Sequence, residues 1–295
     1  MFLESSSLAS IINFLKTFKE DKITMMSETV ELLGKGLYAN IPDTLTLKAF
    51  PTVTELDYVG SEDFERTMLE NIFPQCIEEK INFHNLLEID FQWICRCLRF
   101  LNYGPYFTVN GLICNNCGPI RVECQVDLRA VECKGLPANF IHNDIVIKKG
   151  DLIDYNKDIH LHLLTIQEAL DLRKDKLFTR PDGQINVELA RICYSISKID
   201  GVEDLSPVVA KVEVEKNMTP ADYKVLKATV ADLTDYGLRG GGYCQCPRCH
   251  SNNAAFVALA DDRFFRPTVG DLRKGRDDRS LRGIKKPTTD SPETV

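Results

Sequence analysis

Apolar residues return every three or four positions over residues 8–33, through Leu8, Ile11, Ile12, Leu15 and Phe18 and then Met25, Met26, Val30 and Leu33, which predicts a helical arm with one apolar stripe. Such a stripe needs a cover, either its own domain or a neighbouring subunit. Gly34-Lys35-Gly36 breaks the pattern, and residues 44–50 then alternate as a half-buried strand does. A helix is expected from about Ser61, with Phe64, Met68, Leu69, Ile72 and Phe73 on its apolar side and Pro74 interrupting it. In the next helix Ile89, Phe91, Trp93, Ile94, Cys95, Leu98, Phe100 and Leu101 crowd too densely for a surface position, so this segment belongs in the core, ending at Tyr103-Gly104-Pro105.

The strand pattern of residues 106–109 and 112–113 leads into Cys114-Asn115-Asn116-Cys117, and residues 120–126 alternate on the way out, which predicts a hairpin with a cysteine knuckle at its tip. Further β segments are expected over 145–147 and 159–163, and helices over 165–174 and 187–197, the latter closing at Asp200-Gly201. Thr219-Pro220 is a helix start, with a Thr cap and Pro at the first helical position, and Tyr223, Leu226, Val230 and Leu233 carry its stripe to Tyr236-Gly237. Glycines 240–242 loosen the approach to Cys246-Pro247-Arg248-Cys249, and residues 254–259 form the exit strand. The order helix, Tyr-Gly, strand, Cys-x-x-Cys, strand therefore occurs twice. Residues 270–295 are charged and lack a period, as a tail does.

The expected fold class is α+β: two related helix-hairpin units whose knuckles share one metal site, joined by a middle β/helix segment. Its segments are a helical arm (1–33), the first unit (34–135), the middle segment (136–217), the second unit (218–269) and the charged tail (270–295).

The 295 residues are 44% hydrophobic, enough for a sizeable core, and the formal charge of -7 argues against nonspecific binding to nucleic acid. No apolar run reaches the roughly 20 residues of a membrane-spanning helix, and the first residues lack the basic region of a secretory signal. Synthesis in the cytosol is expected, where the 11 cysteines serve as metal ligands or buried thiols. Cys76, Cys95, Cys97, Cys124, Cys133 and Cys193 stand in mostly apolar stretches and read as small hydrophobes. In an oxidising setting Cys124 and Cys133 would be free to bond.

Cys114, Cys117, Cys246 and Cys249 form a four-sulfur set of the kind Zn²⁺ favours. The pairs are 128 residues apart, positions 118–245, and the repeated element order accounts for the distance. Cys244 and His250 are the less favoured substitutes as ligands, and His250 reads as a turn residue because it stands where Gly118 stands in the first knuckle. An iron-sulfur cluster is the minor alternative to zinc, and unmetallated buried thiols the other. Four cysteines close the coordination shell, which implies a structural rather than catalytic metal. His160 and His162 share a strand face and read as packing residues. No Gly-rich phosphate loop, nucleophile elbow or carboxylate pair set against a histidine points to an enzyme.

Taken together, Leu33-Gly34-Lys35-Gly36-Leu37-Tyr38, Tyr103-Gly104-Pro105-Tyr106, the knuckle ending in Gly118, Asp235-Tyr236-Gly237, Cys246-Pro247-Arg248-Cys249 and Phe264-Phe265-Arg266-Pro267 resemble the baseplate hub (distal subunit) family of contractile-tailed bacteriophages. The resemblance spans about residues 33–267 and lies in the order of the motifs. It implies a nonenzymatic structural protein of the virion tail baseplate, made in the host cytoplasm, that helps to assemble or cap the central hub. Its implied partners are other baseplate and hub proteins and copies of itself in a symmetric, trimeric arrangement, with neither nucleic acid nor membrane. The extensions before Leu33 and after Pro267, and the second knuckle without a following Gly, depart from the family. Two other classes stand beside this one: a nonvirion tail-assembly chaperone, and a zinc-ribbon adaptor of transcription or replication. The adaptor rests on the knuckles alone, whose tips supply one cation, Arg248.

Overall fold

A computed structural model describes residues 26–50, 63–118, 121–137, 140, 142–202, 205–238, 241–256, 262–265 and 269–275. Its first elements are two antiparallel strands, β1 (Ser27–Glu31) and β2 (Thr44–Lys48), with Val30 opposite Leu45. Leu45 and Leu47 of β2 are fully buried, as the alternation requires. Strand β1 corrects the helical arm: Thr29 and Val30 are β-branched, and the backbone of 27–31 bonds to β2 instead of to itself. Residues 1–25 of that arm lie outside the described residues.

Pro74 does not stop the following helix. Helix α1 (Phe64–Thr67), a π turn over Met68–Ile72 and helix α2 (Phe73–Cys76) run on from one another, starting at an Asp63 cap whose carboxylate accepts from Arg66 N–H. The wider turn sends the Phe73 N–H to the Met68 carbonyl and places Pro74 in the first turn of α2, where its missing N–H costs nothing. Helix α3 (Glu88–Tyr103) is the core helix that its density predicts: all eight of its named apolar residues are buried, and Gly104 caps it at φ 80°. Two arginines lie buried among them. Arg96 donates to the Leu128 and Val131 carbonyls and Arg99 to Tyr106, and their guanidinium carbons sit over the Trp93 and Tyr103 rings, respectively.

Strands β3 (Tyr106–Ile113) and β4 (Arg121–Asp127) form the expected hairpin. After the short β5 (Cys133–Lys134) come β6 (Ile145–Ile147), β7 (Ile159–Leu161), α4 (Ile166–Leu172), α5 (Val187–Ser195) and β8 (Ile196–Ile199). β6, β7 and β8 make one antiparallel sheet. Strand β8 shortens the helix expected over 187–197, because Ile196 and Ile199 pair their backbone with β7 and bury their side chains. Helix α6 (Pro207–Val212) precedes α7 (Pro220–Thr234), which begins at the Thr219 cap as expected. Within α7, buried Asp222 accepts the backbone N–H groups of Ile153, Asp154 and Tyr155 and so fixes the loop that crosses it.

Strand β9 (Gly237–Leu238) pairs with β5, and β10 (Gly241–Gln245) with β11 (Asn252–Phe256). Phe264 and Phe265 are fully buried, against Phe107 and Phe64. The tail expected over 270–295 begins as a helix, α8 (Val269–Gly275). Charged as it is, α8 is anchored: Asp271, 1% exposed, accepts from Thr108 Oγ1 at 2.7 Å and Gln125 Nε2 at 2.8 Å, and Lys274 lies over the Tyr106 ring. Residues 276–295 lie outside the described residues.

The fold is thus mixed helix and sheet, α+β, with two apolar cores. One gathers β1, β2, α1, α2, most of α3, the two hairpins and Phe264-Phe265; the other gathers the β6–β8 sheet, α5 and α7. Leu33 and Tyr38 pack against both, and α3 sends Ile89 into the second core. The segment 218–269 is divided between them, α7 lying in the second core and the β10–β11 hairpin in the first.

Candidate metal centre

Each cysteine turn sits at the tip of a two-stranded hairpin, and the two turns have the same backbone geometry. The Gly118 N–H donates to the Cys114 carbonyl at 3.2 Å and the His250 N–H to the Cys246 carbonyl at 2.9 Å. Both closing residues are left-handed, Gly118 at φ 81° and His250 at φ 57°, and His250 is the one non-glycine among the described residues with positive φ. His250 is a turn residue, as its position predicts, and it stands outside the sulfur cluster.

Strands β4 and β10 bring the hairpins together. Gly242 permits the approach, because a Cβ there would meet Val126 Cγ1 at 2.8 Å. Cys124 Sγ points to the Gln245 carbonyl across the same seam at 3.6 Å. The result is that the sulfurs of Cys114, Cys117, Cys246 and Cys249 all lie within 4.8 Å of one another. They interlock reciprocally: Cys114 Sγ is 3.6 Å from Cys249 Sγ, and Cys117 Sγ is 3.8 Å from Cys246 Sγ. A tetrahedral zinc with bonds of about 2.3 Å has sulfur-sulfur edges of about 3.8 Å, so the donor set fits such an ion in number, chemistry and spacing.

A polar clasp from Ser251 and the start of β11 holds the cluster. Ser251 Oγ lies 3.0 Å from Cys249 Sγ and 3.3 Å from Cys114 Sγ, one sulfur from each turn. Buried Asn253 accepts from the Asn115 N–H at 3.0 Å and donates to the Ser251 carbonyl at 2.9 Å, tying the tip of the first knuckle to the strand after the second. Hydrogen bonds from Ser251 and from the Cys117 amide draw the Cys114 thiol down to about 5, and Ser251 likewise lowers Cys249 to about 7. Cys117 is pushed up to about 12, first by its contact with Cys249. Crowded sulfurs share their remaining protons unequally, and a cation would displace them. Ser251 and Asn253 are not among the residues that the cysteine spacing singles out. Their signal was the Ser-x-Asn that follows the second knuckle directly.

Cys244, the less favoured substitute ligand, is buried beside Cys124 and stands outside the group of four; burial and that neighbour push it up to about 12. All seven cysteines outside the knuckles, Cys244 among them, are buried and unbridged, and Cys124 and Cys133 form no disulfide. Burial raises Cys76 and Cys193 to about 12 and Cys133 to about 11, which makes them inert. His160 and His162 face carboxylates, Asp144 and Glu168 respectively, and belong to no metal-holding group among the described residues. No helix among the described residues is long and apolar enough to cross a membrane.

These features define a class: an α+β protein with a four-cysteine cluster, able to hold one metal ion, at the junction of two hairpins. No family model, curated protein or solved structure matches the chain.

Proposed function

We propose that the chain is a nonenzymatic structural protein in which one Zn²⁺, bound by Cys114, Cys117, Cys246 and Cys249, staples two related hairpin units into a rigid body for assembly. The observation that carries this reading is the reciprocal sulfur cluster: each turn contributes two ligands, so neither hairpin completes the site alone. Four thiolates leave no position for a reacting water, which favours architecture over catalysis. Large apolar side chains next to the knuckles, Ile113 at 56% and Tyr243 at 75% exposed, suit contact with protein neighbours.

The neighbours proposed are those of a contractile-tail baseplate at or near the central hub, a reading supported by the order of the motifs between Leu33 and Pro267. Quantitative mass spectrometry of purified particles of the source virus tests it. The chain should copurify with the hub proteins in a copy number that is a multiple of three. Its absence from tail-bearing particles would contradict a virion role and favour an assembly chaperone.

A further inference from the structure

An open pocket of about 250 Å³ lies beside the second core, between α3, the end of β7, α5 and the end of α7. None of its lining residues belongs to the sulfur cluster, and the proposal above makes no use of it. Small-molecule pockets for drug-sized ligands run from about 300 to 1,000 Å³, so this one suits something smaller.

Its polar wall is built and partly unsatisfied. Glu88 and Arg191 form a bidentate pair, with oxygen-nitrogen distances of 2.7 and 3.2 Å, and their side chains are 17% and 23% exposed; Arg173, which does not line the pocket, also stands 3.6 Å from Glu88. The pair uses only part of each group: a guanidinium has five N–H donors, and a carboxylate about four acceptor sites. Ser195, 3% exposed, lines the pocket, and its hydroxyl makes no hydrogen bond with a described residue; the Gln92 amide and the Tyr236 hydroxyl are in the same position. His162 in the same wall is held through Nε2 by Glu168, while its buried Nδ1 has no partner among the described residues. Ile89, Leu163 and Leu233 supply an apolar floor.

Within the lining, one positive and one negative group side by side, with free hydroxyl and amide groups beside aliphatic carbon, match a ligand with both charges of its own and a short hydrocarbon side chain. We propose that this pocket binds a small zwitterion of the class of free aliphatic α-amino acids, with its carboxylate toward Arg191 and its ammonium toward Glu88. A ligand with one charge would reach only one member of the pair and leave the open donor or acceptor positions of the other unfilled. An uncharged ligand would meet only the hydroxyl and amide groups.

Saturation-transfer NMR on the full chain tests this with L-leucine, L-leucinamide, which lacks the carboxylate, and 4-methylpentanoate, which lacks the ammonium. L-leucine should show transfer, should shift the Tyr236 ring and Arg191 side-chain resonances, and should bind at least tenfold more tightly than either single-charge probe. Gln92→Phe, which puts a bulkier side chain into the pocket lining from a half-buried helix position, should abolish the transfer. The Tyr236 and Arg191 shifts in the unmodified chain keep the test valid if that variant fails to fold. No transfer from L-leucine, equal binding of the three probes, or undiminished transfer in folded Gln92→Phe would overturn the proposal.

Discussion

Ser251 shows how much one hydroxyl does in a crowded thiol site. It touches one sulfur of each knuckle, and the pull on Cys114 and Cys249 favours the thiolate that a metal requires. Ser251→Ala should weaken zinc binding by about tenfold, read by competition with a chromophoric chelator. An unchanged affinity would make the contact incidental. Asp90 is a second buried group with a measurable signature. Its carboxylate accepts from the Leu33 and Gly34 N–H groups and from the Tyr38 hydroxyl, so it holds the turn that joins β1 to the rest. Burial outweighs these donors and raises its pKa from the ordinary 3.8 to about 6. The folded chain therefore binds this proton more tightly than the unfolded chain. The associated stability is complete below about pH 4 and is lost as pH rises through about 6, to the extent of about 3 kcal/mol. Asp90→Asn cannot titrate, so urea unfolding between pH 4 and 7 should show its stability changing less with pH than that of the wild type. Parallel curves would contradict the assignment.

Among the elements, the two cysteine turns were the most legible in sequence because their geometry is local: two residues between ligands and a left-handed closing position suffice. The match between Gly118 and His250 extends that logic to a residue whose chemistry suggests a ligand. His250→Gly should raise stability by about 1 kcal/mol, since glycine accepts φ 57° without strain, and should leave metal stoichiometry unchanged. Loss of metal would instead make His250 a ligand. Helix α3 and the caps at Thr219 and Gly104 were equally readable, being written in density and in single residues. What escaped depends on distant partners. β1 and β8 are strands because β2 and β7 lie beside them, and their short segments carry too little periodicity to say so. Arg96 and Arg99 look like surface positions until the carbonyls of the β3–β4 hairpin and its following loop come within reach. Helix α8 looked like tail because its one decisive buried group, Asp271, is charged and finds Thr108 and Gln125 more than 140 residues away. Deleting residues 269–295 should consequently raise hydrogen exchange in β3 and β4 while leaving the β6–β8 sheet protected. Unaltered exchange in the hairpin would show that α8 adds nothing to it.

At the scale of the whole molecule, two cores share α3, and the hairpins that carry the sulfurs belong to the first. The β4–β10 seam with its Gly242 contact aligns the hairpins, and the sulfur cluster closes their tips. In small domains a structural zinc supplies apparent folding free energy of about 10 kcal/mol or more, comparable with the net stability of about 5 to 15 kcal/mol expected of a protein. Its effect here should be regional. Chelation should strip exchange protection from β3, β4, β10 and β11 and leave the α5, α7 and β6–β8 core folded. The account rests most directly on the metal itself, so the decisive measurement is elemental analysis with X-ray absorption spectroscopy on the purified full chain. One zinc per chain with four sulfurs at about 2.3 Å is predicted. A well-folded chain that binds no zinc, or a zinc coordinated by nitrogen or oxygen in place of one of the four sulfurs, would contradict it.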